Sequence, residues 1–440
     1  MTTLFRNATL VQLDPPIVRT GDLRQVDGAI QEIGETIEPI DTDEVVDCGG
    51  AVVMPGLVNG HTHLCSTLAV GMSAPEITTE NNFENVRDFW WRFDQAHSLE
   101  SVSLSGQIGA LAAVRFGTTT LIDHHSSSNA IAGSLTSLSD AISLVGPRSV
   151  LCYETTTHHG PEKACRAIEE NERYALDCQQ RYDSRFGAMI GAHASFSLDD
   201  SSLNGCLELA RQMGLGIHIH VAEDPTDGAV TRERCDCGLI ERFQRVGLFD
   251  IPGSILADGT HFSQEDIEFV NSVSDNVRIA HNPSSNMNNA VGYTPAVHYN
   301  HPLLGTDRIG SDMWREARTA YLKSRDAGMP LAIGRPLKML GESARVASEY
   351  LGVKLGVLEV GAAADLIVAD YIPMTPLNSE NLASHFMFAM GPEFVHSVMI
   401  GGGWCMRNRN MVSCNEAKIR LKSREVAKSL FGRIASVPCE

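Results

Sequence analysis

Residues 52–63 read VVMPGLVNGHTH, and seven later runs share their plan. These are TTTLIDHH (118–125), RSVLCYET (148–155), RFGAMIGAHASF (185–196), LGIHIHVAED (215–224), SILADGTHF (254–262), VRIAHNPSS (277–285) and PLLGTD (302–307). Each is a short apolar, β-rich stretch that ends in polar residues. Amphipathic segments of about 12–20 residues separate them, the length of an ordinary helix. Continuous apolar strands alternating with helices imply a parallel sheet covered on both faces. Eight such units predict a (β/α)8 TIM barrel, whose chemistry gathers at the C-terminal ends of its strands. His, Asp, Glu and Asn stand at that end of the runs. Between Asn282 and Leu303 the chain is rich in Pro and Asn, so the seventh crossover helix is expected to be short or absent.

The two chain ends have a different texture. LFRNATLVQL (4–13), GDLRQVDGAIQEIG (21–34) and EVVDCGG (44–50) alternate apolar residues with turn formers. VLEVGAAADLIVAD (357–370) and FVHSVMIGGGWCM (394–406) repeat that pattern. Both ends are therefore expected to build one small β-sandwich domain from residues 1–54 and 355–440, around a barrel over residues 55–354. A basic helical tail is expected from Asn415 onward.

The chain has 440 residues, of which 43% are hydrophobic and 20% charged, which is globular composition. Its 54 acidic against 35 basic residues leave a net charge of −19 at pH 7. That charge argues against nucleic acid or an anionic membrane as partner. No apolar run approaches the roughly 20 residues of a membrane span. The N-terminus has no signal-peptide pattern. The 11 cysteines are odd in number and scattered, which fits a reducing cytoplasm better than a disulfide framework.

His61 and His63 end the first barrel strand at positions i and i+2, so both face one side. Two imidazoles aimed at one point suit a transition metal, although a structural pair reads the same way. His218 and His220 repeat the pattern on the fifth strand. His220 is nearer the strand end and is taken as a ligand; His218 is taken as a core histidine. Glu223 follows where the strand becomes a loop. It is either a solvated loop charge or a proton carrier beside metal-activated water. Asp307 closes the eighth run and can ligate a metal or cap a helix. Three histidines and one aspartate on strands one, five and eight converge on a single axis. They imply one divalent ion with an open position, zinc ahead of iron, and metal-assisted hydrolysis.

Other positions carry weaker signals. Glu154 at the end of strand three is a substrate-binding candidate. Asp123, His124 and His125 are read as packing and capping residues, with one of them able to line the pocket. Cys235 and Cys237 form no zinc signature without partners. Phe83, Phe89, Trp90, Trp91 and Phe93 form an aromatic stretch that is either a lid, a dimer contact or simple helix packing.

GLVNGHTH, HVAED, HNPSSN and GTD resemble the amidohydrolase superfamily, in its cytosine-deaminase, guanine-deaminase and chlorohydrolase branch. HASFSLDD (193–200), IHIHVAED (217–224), HNPSSNMNNAVG (281–292), CYET (152–155) and the Glu-Glu-Asn at 169–171 resemble the SsnA-type aminohydrolases within it. The resemblance implies His61, His63, His220 and Asp307 as metal ligands and Glu223 as proton shuttle. It also implies that His193 faces the substrate. The chain has no Lys between 187 and 200 to serve a two-metal site, so one metal is expected. Dimers are usual among similar proteins, so a homodimer is expected by analogy.

Two positions depart from the branch. Its sixth strand normally ends in a histidine that touches the water or substrate. Here Asp258 takes that place, with His261 three residues later, and both are catalytic candidates. An aspartate adds negative charge beside the metal, which hinders deprotonation of bound water and favours a cationic or amino-bearing substrate. Arg308 stands where the branch has Gly. It is expected to pair with Asp307, meet an anionic group, or point outward into solvent. The expected activity is deamination of an amino-substituted purine- or pyrimidine-like heterocycle, a small molecule. The alternatives are cyclic-amide or triazine hydrolysis, or a non-catalytic metal-binding homologue.

Overall fold

In the computed structural model residues 2–72 and 89–437 are described. Phe83 of the aromatic stretch lies outside them. Nine strands come from the two chain ends: β1 (Thr2–Gln12), β2 (Ile17–Val26), β3 (Ala29–Gly34), β4 (Asp43–Asp47), β5 (Val52–Pro55), β15 (Leu366–Ala369), β16 (Val395–Ile400), β17 (Gly403–Arg407) and β18 (Asn410–Met411). They form one hydrogen-bonded sheet in the order β18-β17-β16-β15-β5-β1-β2-β3, with β4 beside β1. A register shift between Phe5 and Ala8 bends β1. Its first half pairs with β4 and its second half with β5, both in parallel. Phe5, Leu10, Leu23, Val53, Leu366 and Met399 fill the core enclosed by this bend.

The middle of the chain forms the parallel strands β6 (Leu57–Thr62), β7 (Thr118–His125), β8 (Arg148–Tyr153), β9 (Phe186–Ala188), β10 (Ile190–Ala194), β11 (Ile217–Val221), β12 (Ser254–Asp258), β13 (Val277–His281) and β14 (Leu303–Leu304). All eight apolar runs are strands, and the fourth is split at Met189 into β9 and β10. The first piece pairs with β8 and the second with β11, so the strands lie in two arcs. Parallel bridges at Thr155–Ala192 and Thr62–Asp307 join the arcs at both seams. This is a TIM barrel. Every residue of β6, β7, β8, β10 and β11 is buried, as sheet covered on both faces requires.

Local chemistry sets the helix boundaries. Ser98 and Ser263 begin helices with reciprocal capping boxes, and the Asp199 side chain accepts the Ser202 N–H. Each cap contributes about 1 kcal/mol. The seventh crossover is the six-residue helix Pro283–Asn288, short as its composition implies. The tail helix Glu416–Ile434 starts at an Asn415 cap. Its Val426 and Leu430 pack with Phe93 and Leu104, so Phe93 serves helix packing. No helix among the described residues is long and apolar enough to cross a membrane.

Candidate functional site

The C-terminal strand ends bring distant residues together. Asp307 Oδ1 lies 2.9 Å from His63 Nε2 and 3.4 Å from His61 Nε2. His63 Nε2 lies 3.1 Å from His220 Nε2. One ligand atom from each of His61, His63, His220 and Asp307 falls within 4.8 Å of the others, and all four residues are buried. Tetrahedral ligands at about 2.1 Å from an ion stand about 3.4 Å apart. The three-nitrogen, one-oxygen donor set and its spacing fit one divalent cation. His61 Nε2 is buried in this cluster without a hydrogen-bond partner among the described residues, and an ion would satisfy it.

Close strand approach makes this possible. A Cβ on Gly305 would lie 2.5 Å from Asn282 Oδ1 and 2.7 Å from His61 Cβ. Glycine therefore lets the eighth strand lie against the first. Ala222, Asp258 and Asp307 have φ of 52°, 82° and 49°. The chain turns sharply out of β11, β12 and β14 at these points. Left-handed residues other than glycine cost energy and gather at functional sites.

Three of the four cluster residues, and Glu223 beside them, have an outer hydrogen-bond partner; His63 Nδ1 has none among the described residues. His61 Nδ1 is 2.8 Å from His218 Nε2, and His218 Nδ1 is 3.8 Å from Cys152 Sγ. With Nε2 turned to an ion, His61 Nδ1 carries the proton and donates to His218, whose own Nδ1–H faces the sulfur. His220 Nδ1–H donates to Asp258 Oδ2 at 3.0 Å. Asn282 and Asn286 donate to Asp258 Oδ1 at 3.0 and 3.1 Å. Ser285 Oγ donates to Asp307 Oδ2 at 2.5 Å, and Asn289 Nδ2 to Glu223 Oε1 at 3.2 Å. The segment 281–289 thus orients three site carboxylates. Its composition marked it as irregular; the supporting role of its Asn and Ser residues depends on contacts that a single sequence does not display.

Titration follows burial and neighbours. Burial lowers the imidazoles of His61, His63, His193 and His218. At His220 burial is outweighed by Asp258, and its pKa rises to about 10. At Asp307 burial is outweighed by His63 and His61, which hold it well below the usual carboxylate range. Burial, with the charges of Asp258 and Asp307, pushes Glu223 up to about 8. Burial pushes Glu154 up to about 7.

The other sequence candidates separate clearly. Glu154 Oε1 lies 3.3 Å from His193 Nε2, and Glu154 Oε2 lies 4.0 Å from His63 Nδ1, so both candidates adjoin the cluster. Glu223 and Asp258 stand with His220, their ligand-type atoms within 4.8 Å. Asp258 reaches His220 itself, in contrast to a water-facing strand-six residue. His261 is not brought into the cluster: it is exposed, and its Nε2–H donates to the Val291 carbonyl at 2.6 Å. The main chain explains this, because Asp258 turns at φ 82° and the His261 N–H is held by the Ala222 carbonyl.

His218 is buried as expected, yet it touches a ligand candidate. Asp123 Oδ1 caps the Leu64 N–H at 2.6 Å, and His125 bonds Ser127 Oγ at 2.9 Å, both structural contacts. His124 instead stacks on His218 at 4.6 Å and joins the histidine cluster. Arg308 is not an outward, solvated residue. Its guanidinium turns inward over the Trp90 ring, with Cζ 4.4 Å from the ring centre. Trp91 lies within 6.5 Å of the His193 ring, so this part of the aromatic stretch borders the site. Among the described residues, Cys235 and Cys237 join no metal-competent group.

Three comparisons place this geometry. The chain is 28% identical over 446 residues to a 5'-deoxyadenosine deaminase of Methanosarcina mazei, covering 98% of this chain and 99% of that relative. It is 28% identical over 447 residues to a 5-methylthioadenosine/S-adenosylhomocysteine deaminase of Pelotomaculum thermopropionicum, with 98% and 99% covered. Its fold matches that of an adenosine deaminase from Xanthomonas campestris with bound zinc, at a TM-score of 0.82, 21% identity and 99% of both chains. The amidohydrolase family profile matches residues 52–405, most of the chain. With its barrel, its strand-end histidines and that match, the chain belongs to the amidohydrolase family.

Proposed function

We propose that this protein is a metal-dependent hydrolase of non-peptide C–N bonds that deaminates an amino-substituted N-heterocycle. The observation that carries the reading is the convergence of His61, His63, His220 and Asp307 at one point, with Glu223 beside His220. These four side chains would hold one divalent ion, zinc ahead of iron. A bound ion of this kind supplies Lewis acidity and an acidified water at neutral pH. The relatives' names support an adenine-type nucleoside as the first substrate to examine.

Glu223 is the proton carrier in this reading. Asn289 holds one of its carboxylate oxygens, which leaves the other free to take a proton from the attacking water and return it to the departing nitrogen. Asp307, anchored by Ser285, helps direct that proton. The water oxygen bonds to the ring carbon and the carbon–amine bond breaks. Ring–NH2 and water become ring–C=O and ammonia. Glu154 and His193, 3.3 Å apart, hold the ring. Asp258 and Asn289 keep His220 and Glu223 in place. His261, bonded to the Val291 carbonyl, has no role in this scheme. We read the protein as acting on a small molecule in the cytoplasm, supported by its scattered cysteines, and as a homodimer by analogy with similar proteins.

Ammonia release tests the proposal, using 5'-deoxyadenosine, 5-methylthioadenosine, S-adenosylhomocysteine, guanine, cytosine and an aminotriazine. Turnover of at least one aminoheterocycle is expected, with loss on chelation. Glu223→Gln is expected to lower kcat by about 10²–10⁴ with metal content kept, the usual worth of one acid–base group. A wild-type protein that is loaded with metal and inert towards the whole panel would favour the non-catalytic alternative.

A further inference from the structure

We propose that Arg308 forms an anion-recognising subsite at the barrel mouth, so that the substrate heterocycle carries a carboxylate or a similarly localised negative charge. This rests on the deaminase reading above and narrows its substrate class.

Arg308 directly follows Asp307, and its side chain is only 12% exposed. Trp90 covers one face of the guanidinium, with Cζ 4.4 Å from the ring centre. A cation–π contact of this kind needs none of the guanidinium N–H donors. The acid facing it is Asp94, whose Oδ1 is 4.0 Å from Arg308 Nη1. That distance allows attraction but no hydrogen bond. Both atoms are buried and neither has a hydrogen-bond partner among the described residues. A buried charged donor left unpaired costs several times the worth of an ordinary hydrogen bond. A structural ion pair would close the gap; a subsite keeps the donor available.

The surroundings agree. Arg308 is close enough for its charge to act on His63, Glu154 and His193, the last two being the residues proposed to hold the ring. Asp94 is the nearest countercharge, yet at 4.0 Å it makes no hydrogen bond to the guanidinium. Glu154, Glu223, Asp258 and Asp307 would together repel an anion. A fixed cation beside Glu154 and Asp307 is the feature that an anionic ligand needs, and one that a cationic substrate would not tolerate.

The test is calorimetric binding of pyrimidine-4-carboxylate and its neutral isostere 4-acetylpyrimidine to the metal-replete protein. Wild type is expected to bind the carboxylate at least tenfold more tightly. Arg308→Gln is expected to abolish that preference, and Arg308→Lys to reduce it at least threefold, because an ammonium lacks the planar fork. A wild type without preference overturns the proposal. So does a preference that survives in Arg308→Gln, which would assign the carboxylate to the ion or to another group. If Arg308→Gln does not fold, Arg308→Lys decides: an undiminished preference overturns the proposal. Ammonia release plays no part in this measurement. Failure of the binding test leaves deamination standing, and failure of deamination leaves the binding result intact.

Discussion

Asp258 Oδ2 stands 3.0 Å from His220 Nδ1, while its Oδ1 accepts the amides of both Asn282 and Asn286. A carboxylate held this firmly fixes the tautomer and direction of the imidazole, with Nε2 turned to the cluster. It does so from a φ of 82°, which aspartate tolerates better than branched residues. Asp258→Asn should keep the backbone but replace the acceptor charge and set its amide against those of Asn282 and Asn286. Metal affinity is expected to fall about 10–100-fold, the usual effect of losing an outer-shell partner. Competition with a chelator measures this, and an unchanged affinity would mean that His220 is oriented by other contacts.

His218 should behave similarly although it is not one of the four proposed ligands. Its Nε2 lies 2.8 Å from His61 Nδ1 in a fully buried environment. His218→Phe would fill the space and leave His61 Nδ1–H unsatisfied. Metal affinity is expected to drop by at least about tenfold, more than the thermal stability of the metal-free protein changes. Parallel melts with and without added zinc separate the two effects. An equal loss in both would make His218 only a packing residue.

Gly305→Ala tests the approach of the eighth strand to the first. The added methyl would meet Asn282 Oδ1 at 2.5 Å and the His61 main-chain nitrogen at 2.9 Å. His61 cannot yield without moving a proposed ligand. A loss of about 1–3 kcal/mol in urea unfolding is expected, together with weaker metal binding. A variant as stable as wild type would show that the seam is softer than its distances imply.

Glu316 supplies a pH test away from the metal cluster. Burial raises its carboxyl to about 7, against the hydrogen bond from Ser284, whose N–H donates to Oε1 at 2.8 Å. Oε2 has no partner. Between the unfolded value of 4.5 and about 7, the folded chain keeps a proton that the unfolded chain has released. Stability from this group therefore falls as pH rises through that window. Glu316→Gln keeps the Ser284 contact and removes the charge. Urea unfolding should show little difference at pH 4.5 and a more stable variant at pH 8, by at most about 3 kcal/mol. A difference that does not depend on pH would contradict the burial argument.

Much of this protein was legible in the order of its residues. Period and composition marked eight strands, because sheet covered on both faces must be apolar throughout. The spacing of His61 with His63, and of His218 with His220, was visible because strand geometry fixes which neighbours share a face. The short seventh crossover was visible in its Pro and Asn content. The inward turn of Arg308 was not, since an arginine next to a strand end is usually solvated. The place of His261 was not either, because it depends on a left-handed turn at Asp258 and on a hydrogen bond across the sheet.

Local pattern therefore determined the barrel, its strand ends and the residue types offered there. Packing alone decided which offered groups meet. His218 backs His61, Asn282 and Asn286 hold Asp258, and Trp90 covers Arg308, all through contacts between segments far apart in the chain. Periodicity is a property of neighbouring residues, whereas those contacts exist only once the ring of strands has brought its ends to one mouth.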